Sequence, residues 1–575
     1  EWCSVECRID DHGNAPDSAT AIAQSETLNA HLAPGDEDWF SVLATVDGLY
    51  RFVVLTDPVP QEPRGDTRHP TTCETRSDRG VVGSSVPMDL FNFWGRGCEV
   101  YIHASRGERV YLRLLRAVDS SPERYTVLLR PICGNEVLDV GEECDTGRNW
   151  VSRFDCRADC RLRSPSVVSY DTLCAVRGGG AHCWGSNQHL LLGAMDDYTP
   201  GEDGYERCHD EHLTHHLPQP LVPGLGGARY MALGHDRACV VMQNGRLKCW
   251  GNNTWLKLPA DQFDTPCNTG SRSAECAPEP VDLGWDYLTL GLAVGRSHQC
   301  TLHLWEGRTR AHCWGFANNG ALARNDLPLH TATSFDELAL IEHDPDNQEA
   351  NVIYFALGLE FGCLLDDQDK VFCWGKNRWG QVGNGTLVVR DNCNRPCEPT
   401  PHEVSGLGRV MTLSTGYDHA CALNRDGEVW CWGRNDHGQV GGAPDEEPCT
   451  FDGQEAPCVR RPHRVEGLPA VIDVASGAQH NCALTAAGAV WCWGLNFHGQ
   501  LGRGFFGRAP DAPESDRFGI ATPGWVHGLP PVQSISLGGD IGCAHQGDEL
   551  WCWGADQWKQ ISRGCGFGLA RPRRL

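Results

Sequence analysis

The side chains with the most evident chemical potential lie in one short stretch, Cys208 to Leu217, which reads CHDEHLTHHL. His209, His212, His215 and His216, with Asp210 and Glu211 among them, are donors of the kind that hold zinc or nickel. A metal site needs fixed geometry, and this stretch sits in a long acidic loop. It therefore reads first as a solvated histidine-rich loop, with those four histidines as the candidate ligands. The chain holds no Gly-x-Ser-x-Gly elbow, no His-Glu-x-x-His and no phosphate-binding glycine loop. Asp and Glu are abundant, but nothing in the sequence pairs them as acid and base. His298, His419 and His480 each stand two residues before a cysteine in a similar context. A catalytic histidine does not recur three times at equivalent positions, so these are expected to form structural hydrogen bonds. No catalytic residue and no resident cofactor is assigned.

Aromatic side chains in variable segments are the candidate binding residues. Trp255 lies in the segment 252–280, and Phe505, Phe506, Phe518 and Trp525 lie in 503–525. Exposed aromatics of this kind suit recognition of a protein or a sugar.

What must position these residues is a repeat. Cys-Trp-Gly occurs seven times, with tryptophans at 184, 250, 314, 374, 432, 493 and 553. A fixed period of this size marks an array of one supersecondary unit. The best-formed copy runs from Gly416 to Gly442 and reads GYDHACALNRDGEVWCWGRNDHGQVGG. It holds two apolar runs around a Gly-containing turn, the pattern of a β-hairpin. A Gly-rich connection, a variable loop and a short Pro-x-x-Val stretch follow. Four short strands per unit fit a propeller blade. The repeat tryptophans then read as blade core. Asn187, Asn252, Asn377, Asn435 and Asn496, each near a glycine, read as turn formers.

Cysteine spacing supports the hairpins. Cys174/Cys183 and Cys543/Cys552 are separated by 9 residues around Gly178-Gly179 and Gly547-Asp548, which suits a two-residue turn. Cys239/Cys249, Cys421/Cys431 and Cys482/Cys492 are separated by 10, with Gly245, Gly427 and Gly488 placed to close a three-residue loop. Cys363/Cys373 lack that glycine, and Cys300/Cys313 enclose a longer loop. The arithmetic sets each pair directly opposite across two strands, so seven hairpin disulfides are expected. Further expected pairs are Cys267–Cys276, Cys393–Cys397, Cys449–Cys458 and Cys73–Cys98, with Cys208–Cys565 locking the first unit to the last.

The 575 residues include 30 cysteines, too many for a reduced cytosolic chain without metal motifs. The net charge of −26 argues against nucleic acid as a partner. No apolar run reaches the length of a membrane span. The chain starts at Glu1 and is read as the mature form of an exported bacterial protein whose leader was removed, placed outside the cell or on its surface.

Four regions are expected: a tail over 1–8, a β-sandwich over 9–131, a cysteine-rich module over 132–164 and the propeller over 165–575. The segment around Gly-Asp-Glu-Asp-Trp-Phe, Gly35 to Phe40, resembles the bacterial pre-peptidase C-terminal domain family. That resemblance implies a small accessory β-sandwich without catalysis. Its Asp36, Glu37 and Asp38 are calcium donors by type, but such a cluster reads first as a solvated turn. The segment CGNEVLDVGEECDTGRNWVSRFDCRADC resembles the myxobacterial cysteine-rich repeat family, with Thr146-Gly147-Arg148 in place of the usual Asp-Gly-Asn. So short a segment needs disulfides, and Cys133, Cys144, Cys156 and Cys160 allow three connectivities. The pairing of Cys3 and Cys7 is open.

The unit Gly-x-x-His-x-Cys-Ala-Leu … Cys-Trp-Gly-x-Asn-x-x-Gly-Gln-Leu-Gly resembles the regulator of chromosome condensation repeat family. This implies an all-β seven-bladed propeller whose ring is closed by mixing strands from the two chain ends. The C-terminal LARPRRL and the initial SVVSYDTLC look like the parts each end lacks. Nuclear members exchange nucleotide on a small GTPase and dock on chromatin, roles that disulfides and strong negative charge oppose. The expected function is a secreted or surface binding protein that recognises a protein or glycan, with self-assembly as a further mode. The alternative is a protein inhibitor, since a secreted bacterial inhibitor of beta-lactamase shares this propeller type. A loop-borne hydrolase is third.

Overall fold

In a computed structural model of the chain, residues 20–130 are described as nine backbone strands. Side chains are described for most of residues 172–192 and 222–575. The four histidines of the 208–217 stretch, Trp255, Phe518, the Cys208–Cys565 pair, Cys3, Cys7 and the four cysteines of the 132–164 module lie outside the described residues. So do the side chains of Asp36, Glu37, Asp38, Cys73, Cys98 and Cys267. The chain divides into two units, residues 1–149 with 159–162, and residues 150–158 with 163–575.

The first unit holds two sheets. Thr20–Ala21, Glu37–Leu43, Arg109–Arg116 and Thr71–Ser77 form one in that order. Thr27–Leu32, Glu123–Arg130, Gly48–Thr56, Gly97–Ala104 and Ser84–Met88 form the other. The alternating runs RVYLRLLR and ERYTVLLR supply one strand to each, as period-two sequences do.

The second unit is a propeller-like ring. Six consecutive sheets have four or five strands, and a three-stranded sheet, Ser166–Val168, Thr172–Arg177 and Gly180–Gly185, precedes them. No fourth strand of that first sheet lies among the described residues. A representative sheet runs Val410–Thr415, His419–Asn424, Val429–Arg434 and Cys458–Arg464 from one edge to the other. We call these the inner strand, the two hairpin strands and the outer strand. The first hairpin strand is fully buried because sheets stack on both of its faces, and its apolar run is continuous rather than alternating.

The ring closes by packing. Leu173, Ala175 and Trp184 of the first sheet share a core with Ile541, Leu550 and Ala555 of the last. Ala181 and Cys183 share another with Met231 and Val240 of the second sheet. The expected exchange of strands between the chain ends is not found. Gly568–Arg574, which contains LARPRR, pairs with Glu549–Ala555 as the outer strand of the last sheet. Among the described strands, the Pro-x-x-aliphatic stretches pair with the hairpin before them, not the one after, so the last sheet is complete from one continuous segment.

All seven hairpin disulfides are formed. They are Cys174–Cys183, Cys239–Cys249, Cys300–Cys313, Cys363–Cys373, Cys421–Cys431, Cys482–Cys492 and Cys543–Cys552. In each the two cysteines are directly opposed in register. Each has a Cα–Cα distance of 4.1 Å, as a non-hydrogen-bonded pair requires. None of these bonds lies at the surface. Cys249, Cys313, Cys373, Cys492 and Cys552, like their partners, are wholly buried in the cores between sheets. They brace the hairpins and belong to no exposed binding site. The longer loop between Cys300 and Cys313 is taken up by longer strands, His298–Trp305 and Arg308–Phe316, which keep those two cysteines opposed. Cys393–Cys397 and Cys449–Cys458 are also bonded. Cys276 is disulfide-bonded as well. The hairpin without a turn glycine, 366–370, solves its turn with Asp369, whose φ is 64° where Gly245, Gly427 and Gly488 stand elsewhere. A short polar side chain tolerates that left-handed position better than most residues do.

Candidate recognition face

Each residue of Cys-Trp-Gly has a separate task. The cysteine closes its hairpin. The tryptophan joins neighbouring sheets: Trp432 Nε1 donates to Gln381 O at 2.9 Å, Trp493 Nε1 to Gln439 O at 3.0 Å and Trp553 Nε1 to Gln500 O at 2.9 Å. The glycine has φ near 100°, and a Cβ on Gly433 would lie 2.5 Å from Asp418 O. That contact explains why no larger residue occupies the position.

Neighbouring hairpins also meet through a pair of side chains near the start of their first strands. Arg237 Nη1 donates to Gln299 Oε1 at 3.3 Å. His419 Nε2 lies 2.9 Å from Asn481 Oδ1. The residues that would face His298 and His480 in the same way are Gly362 and Gly542, and both ring nitrogens of these histidines lack a partner. Structural hydrogen bonding, expected of all three histidines, is thus realised only at His419. Burial lowers the pKa of His298 and His480 to about 3 and that of His419 to about 4, so all three are neutral.

The connections between the last hairpin strand and the outer strand emerge from one end of the sheets and hold the variable sequence. Those after Trp374, Trp432 and Trp493 begin with the Asn-x-x-Gly-Gln motif. The Asn oxygens accept from the backbone: Val382 N to Asn377 at 3.1 Å, Val440 N to Asn435 at 2.9 Å and Leu501 N to Asn496 at 3.1 Å. The Gln side chain reaches the next sheet. Gln381 Nε2 donates to Asp418 Oδ1 at 3.1 Å, and Gln500 Nε2 to Asp540 Oδ1 at 3.0 Å. Gln439 has no such Asp opposite, because Gln479 stands there, and it donates instead to Asp436 at 3.2 Å.

Charged groups gather on the same face. Lys376 Nζ bonds Asp418 Oδ1 at 2.9 Å with both side chains buried, and Arg434 bonds Asp436 at 2.6 Å. His498 lies 3.8 Å from Asp540, whose carboxyl is pushed up by burial against the opposing pull of His498. Arg378 and Arg434 both lie over the Trp379 ring, at 4.6 and 5.4 Å from its centroid. A clasped finger follows. Glu398 is buried yet accepts from Asn384 at 3.0 Å and Arg390 Nε at 3.0 Å, and lies 3.1 Å from His402. Burial raises its pKa, but these partners hold it below the usual carboxylate range.

The exposed large apolar side chains among the described residues are Val388 (39%), Val389 (52%), Phe497 (38%), Phe506 (48%) and Trp525 (59%). The first four lie on this face. Phe505 is half-buried beside Phe506, and Asn496 Nδ2 donates to Phe505 O at 3.1 Å. Trp525 does not join them. It lies on the outer strand opposite Trp491, near the hairpin turn, whereas the loop carrying Phe505 and Phe506 leaves the far end of the same sheet. Val388, Val389 and Phe497 carried no repeat signature and were missed in sequence. Their sole signal was position, in the connection after Cys-Trp-Gly.

His498 and Asp540 are too far apart for a hydrogen bond, and the carboxylates on this face are held by amides and cations. Among the described residues, no three His, Cys, Asp or Glu side chains converge as a metal site, and no helix is long and apolar enough to cross a membrane.

Models of the regulator of chromosome condensation (RCC1) repeat match residues 229–254, 412–439 and 471–500, and, in a second form, 368–423 and 426–484. The chain is 30% identical over 358 residues to the E3 ubiquitin-protein ligase HERC2 of Mus musculus, an alignment covering 61% of this chain and 6% of the ligase. It is 25% identical over 335 residues to protein pim1 of Schizosaccharomyces pombe, covering 57% of each. The chain thus spans less than two thirds of either relative. The structure of Prp20p from Saccharomyces cerevisiae, described with its binding to Gsp1p and histones, superposes with a TM-score of 0.52 at 18% identity, covering 72% of this chain and 86% of that one. The fold is shared. The chain carries RCC1 repeats in a propeller-like ring.

Proposed function

We propose that this chain, which carries RCC1 repeats closed into a disulfide-braced ring, is an exported binding protein that recognises a protein or glycan through the loops on one face. The observation that carries this reading is the exposure of Val388, Val389, Phe497 and Phe506 in connections of two sheets on that face, above a framework of inter-sheet clasps. Rigid sheets position the loops, and the loops make the contacts. The disulfides support life in an oxidising compartment, outside the cell or on its surface. The test uses the chain as bait in the medium of its native culture. A specific partner retained by the chain and lost with a Val388→Ser/Val389→Ser/Phe497→Ala/Phe506→Ala variant supports the reading. Equal retention by the variant contradicts it.

A second reading, inhibition of an enzyme, is favoured by the clasped finger. Val388 and Val389 are held out by the Cys393–Cys397 disulfide and the Arg390–Glu398 pair, a preorganised projection of the kind that enters a cleft.

A further inference from the structure

Trp525 marks a departure from the repeat. In four other sheets, the equivalent place on the outer strand holds one member of an ion pair. Its partner stands three residues before the second hairpin cysteine. The pairs are Arg246–Asp282 at 3.0 Å, Lys370–Glu403 at 3.8 Å, Glu428–Arg464 at 3.2 Å and Glu549–Arg574 at 2.8 Å. The register confirms the equivalence. Asp282, Glu403, Arg464, Trp525 and Arg574 each face the residue just before that cysteine. In this one sheet both charges are gone. Ala489 replaces one partner, and Trp525, 59% exposed, replaces the other.

The indole is backed by more flat surface. Trp525 lies opposite the half-buried Trp491, and its ring is within 17° of parallel to that of His527, with centroids 5.8 Å apart. The backbone that carries them is fixed on both sides. Val526 N donates to Val490 O at 2.9 Å, and His527 N donates to Gly502 O at 3.0 Å. No other exposed large apolar residue among those described lies at this end of the ring.

We infer that Trp525, with Trp491 and His527, forms a stacking site for the sugar rings of an uncharged polysaccharide, separate from the loop face. One face of a pyranose presents C–H groups rimmed by hydroxyls. It matches an apolar indole face with an imidazole lying nearly parallel to it. A protein partner would need a wider apolar patch around the anchor, and none is found there among the described residues. Nucleobases stack on such rings too, but their phosphates are repelled by a chain of net charge −26.

The inference does not rest on the loop face, and its test is independent of it. The full chain is sedimented with microcrystalline cellulose and with chitin. Its tryptophan fluorescence is also titrated with cellohexaose and chitohexaose. The comparison is an Ala489→Glu/Trp525→Arg variant, which restores the ion pair of the neighbouring sheets and so preserves the fold. The expected result is binding to at least one polymer and its hexaose, weakened tenfold or more in the variant. His527→Ala weakens it less. Equal binding by the variant, or no binding of the unaltered chain to any of these four probes, overturns the inference. Self-association of the chain that the variant abolishes assigns the surface to a second copy and overturns it as well.

Discussion

Lys376 Nζ sits 2.9 Å from Asp418 Oδ1 across the boundary between two neighbouring sheets, with both side chains almost wholly buried. Asp418 also accepts from Gln381, so one carboxylate holds two groups that end the preceding hairpin and begin its loop. Removing the cation alone leaves a buried, poorly compensated charge. Lys376→Met is expected to destabilise the ring by about 3 kcal/mol, and Lys376→Met/Asp418→Asn by clearly less. Denaturant unfolding of the three proteins compares them. Equal losses in the single and double variants would show that the pair is not coupled.

The hairpin disulfides contribute chiefly by restricting the unfolded chain. Cys421→Ala/Cys431→Ala is expected to cost about 2.5–3 kcal/mol for a loop of this size. Peptide mapping without reductant should recover each of the seven hairpin pairs, and any free thiol among those fourteen cysteines would count against the register.

Acid should weaken the ring through its buried histidines. His298, His419 and His480 titrate in the fold at about 3, 4 and 3, below the ordinary value of 6.5. A base with a depressed folded pKa favours unfolding once the unfolded chain takes up its proton. Stability is therefore full above about pH 6.5 and falls as pH drops toward 4. By pH 5 each histidine costs about 2 kcal/mol. Asp366 works the other way. Burial raises its pKa to about 6, so its unfavourable ionisation is relieved as pH falls through that value. Asp540, also pushed up by burial, acts with Asp366, while His303 and His312, lowered to about 3 and 4, act with the three histidines, so the histidines outnumber the carboxyls. His298→Phe, which copies the occupant of the next sheet, Phe361, should flatten the dependence of melting temperature on pH between 7 and 4.5.

Asp369 tests the left-handed turn. It receives Arg409 Nε at 2.9 Å and Arg425 Nη2 at 3.2 Å while holding a positive φ. Asp369→Gly keeps the backbone conformation and loses the ion pairs. Asp369→Ala loses both. The alanine variant is expected to be less stable than the glycine variant by about 1 kcal/mol in thermal unfolding. The reverse order would show that the turn is not strained.

Much of this architecture was legible because repetition made local chemistry visible. The separation of Cys421 from Cys431 and the placement of Gly427 specify a turn length, and turn length specifies which side chains face each other. The destination of the outer strand was not legible. LARPRR carries the same signal whether it completes the first sheet or the last, and only tertiary pairing decides between them. The face was harder still. The Gln500–Asp540 clasp joins residues 40 positions apart, and nothing local in either announces the other. Val388 and Phe497 look ordinary in sequence, because exposure depends on which sheet edge a loop leaves. Trp525 was visible as an aromatic, but its separation from Phe506 required the register.

The central claim is that one face of a rigid ring does the recognising. Hydrogen–deuterium exchange on the chain with and without its captured partner tests this most directly. Protection confined to the loops within 377–396, 435–457 and 496–518, with the hairpin strands slow to exchange in both states, is the predicted result. Protection concentrated on the hairpin turns at the opposite face, around Asn244, Asp369 and Gly427, would contradict it.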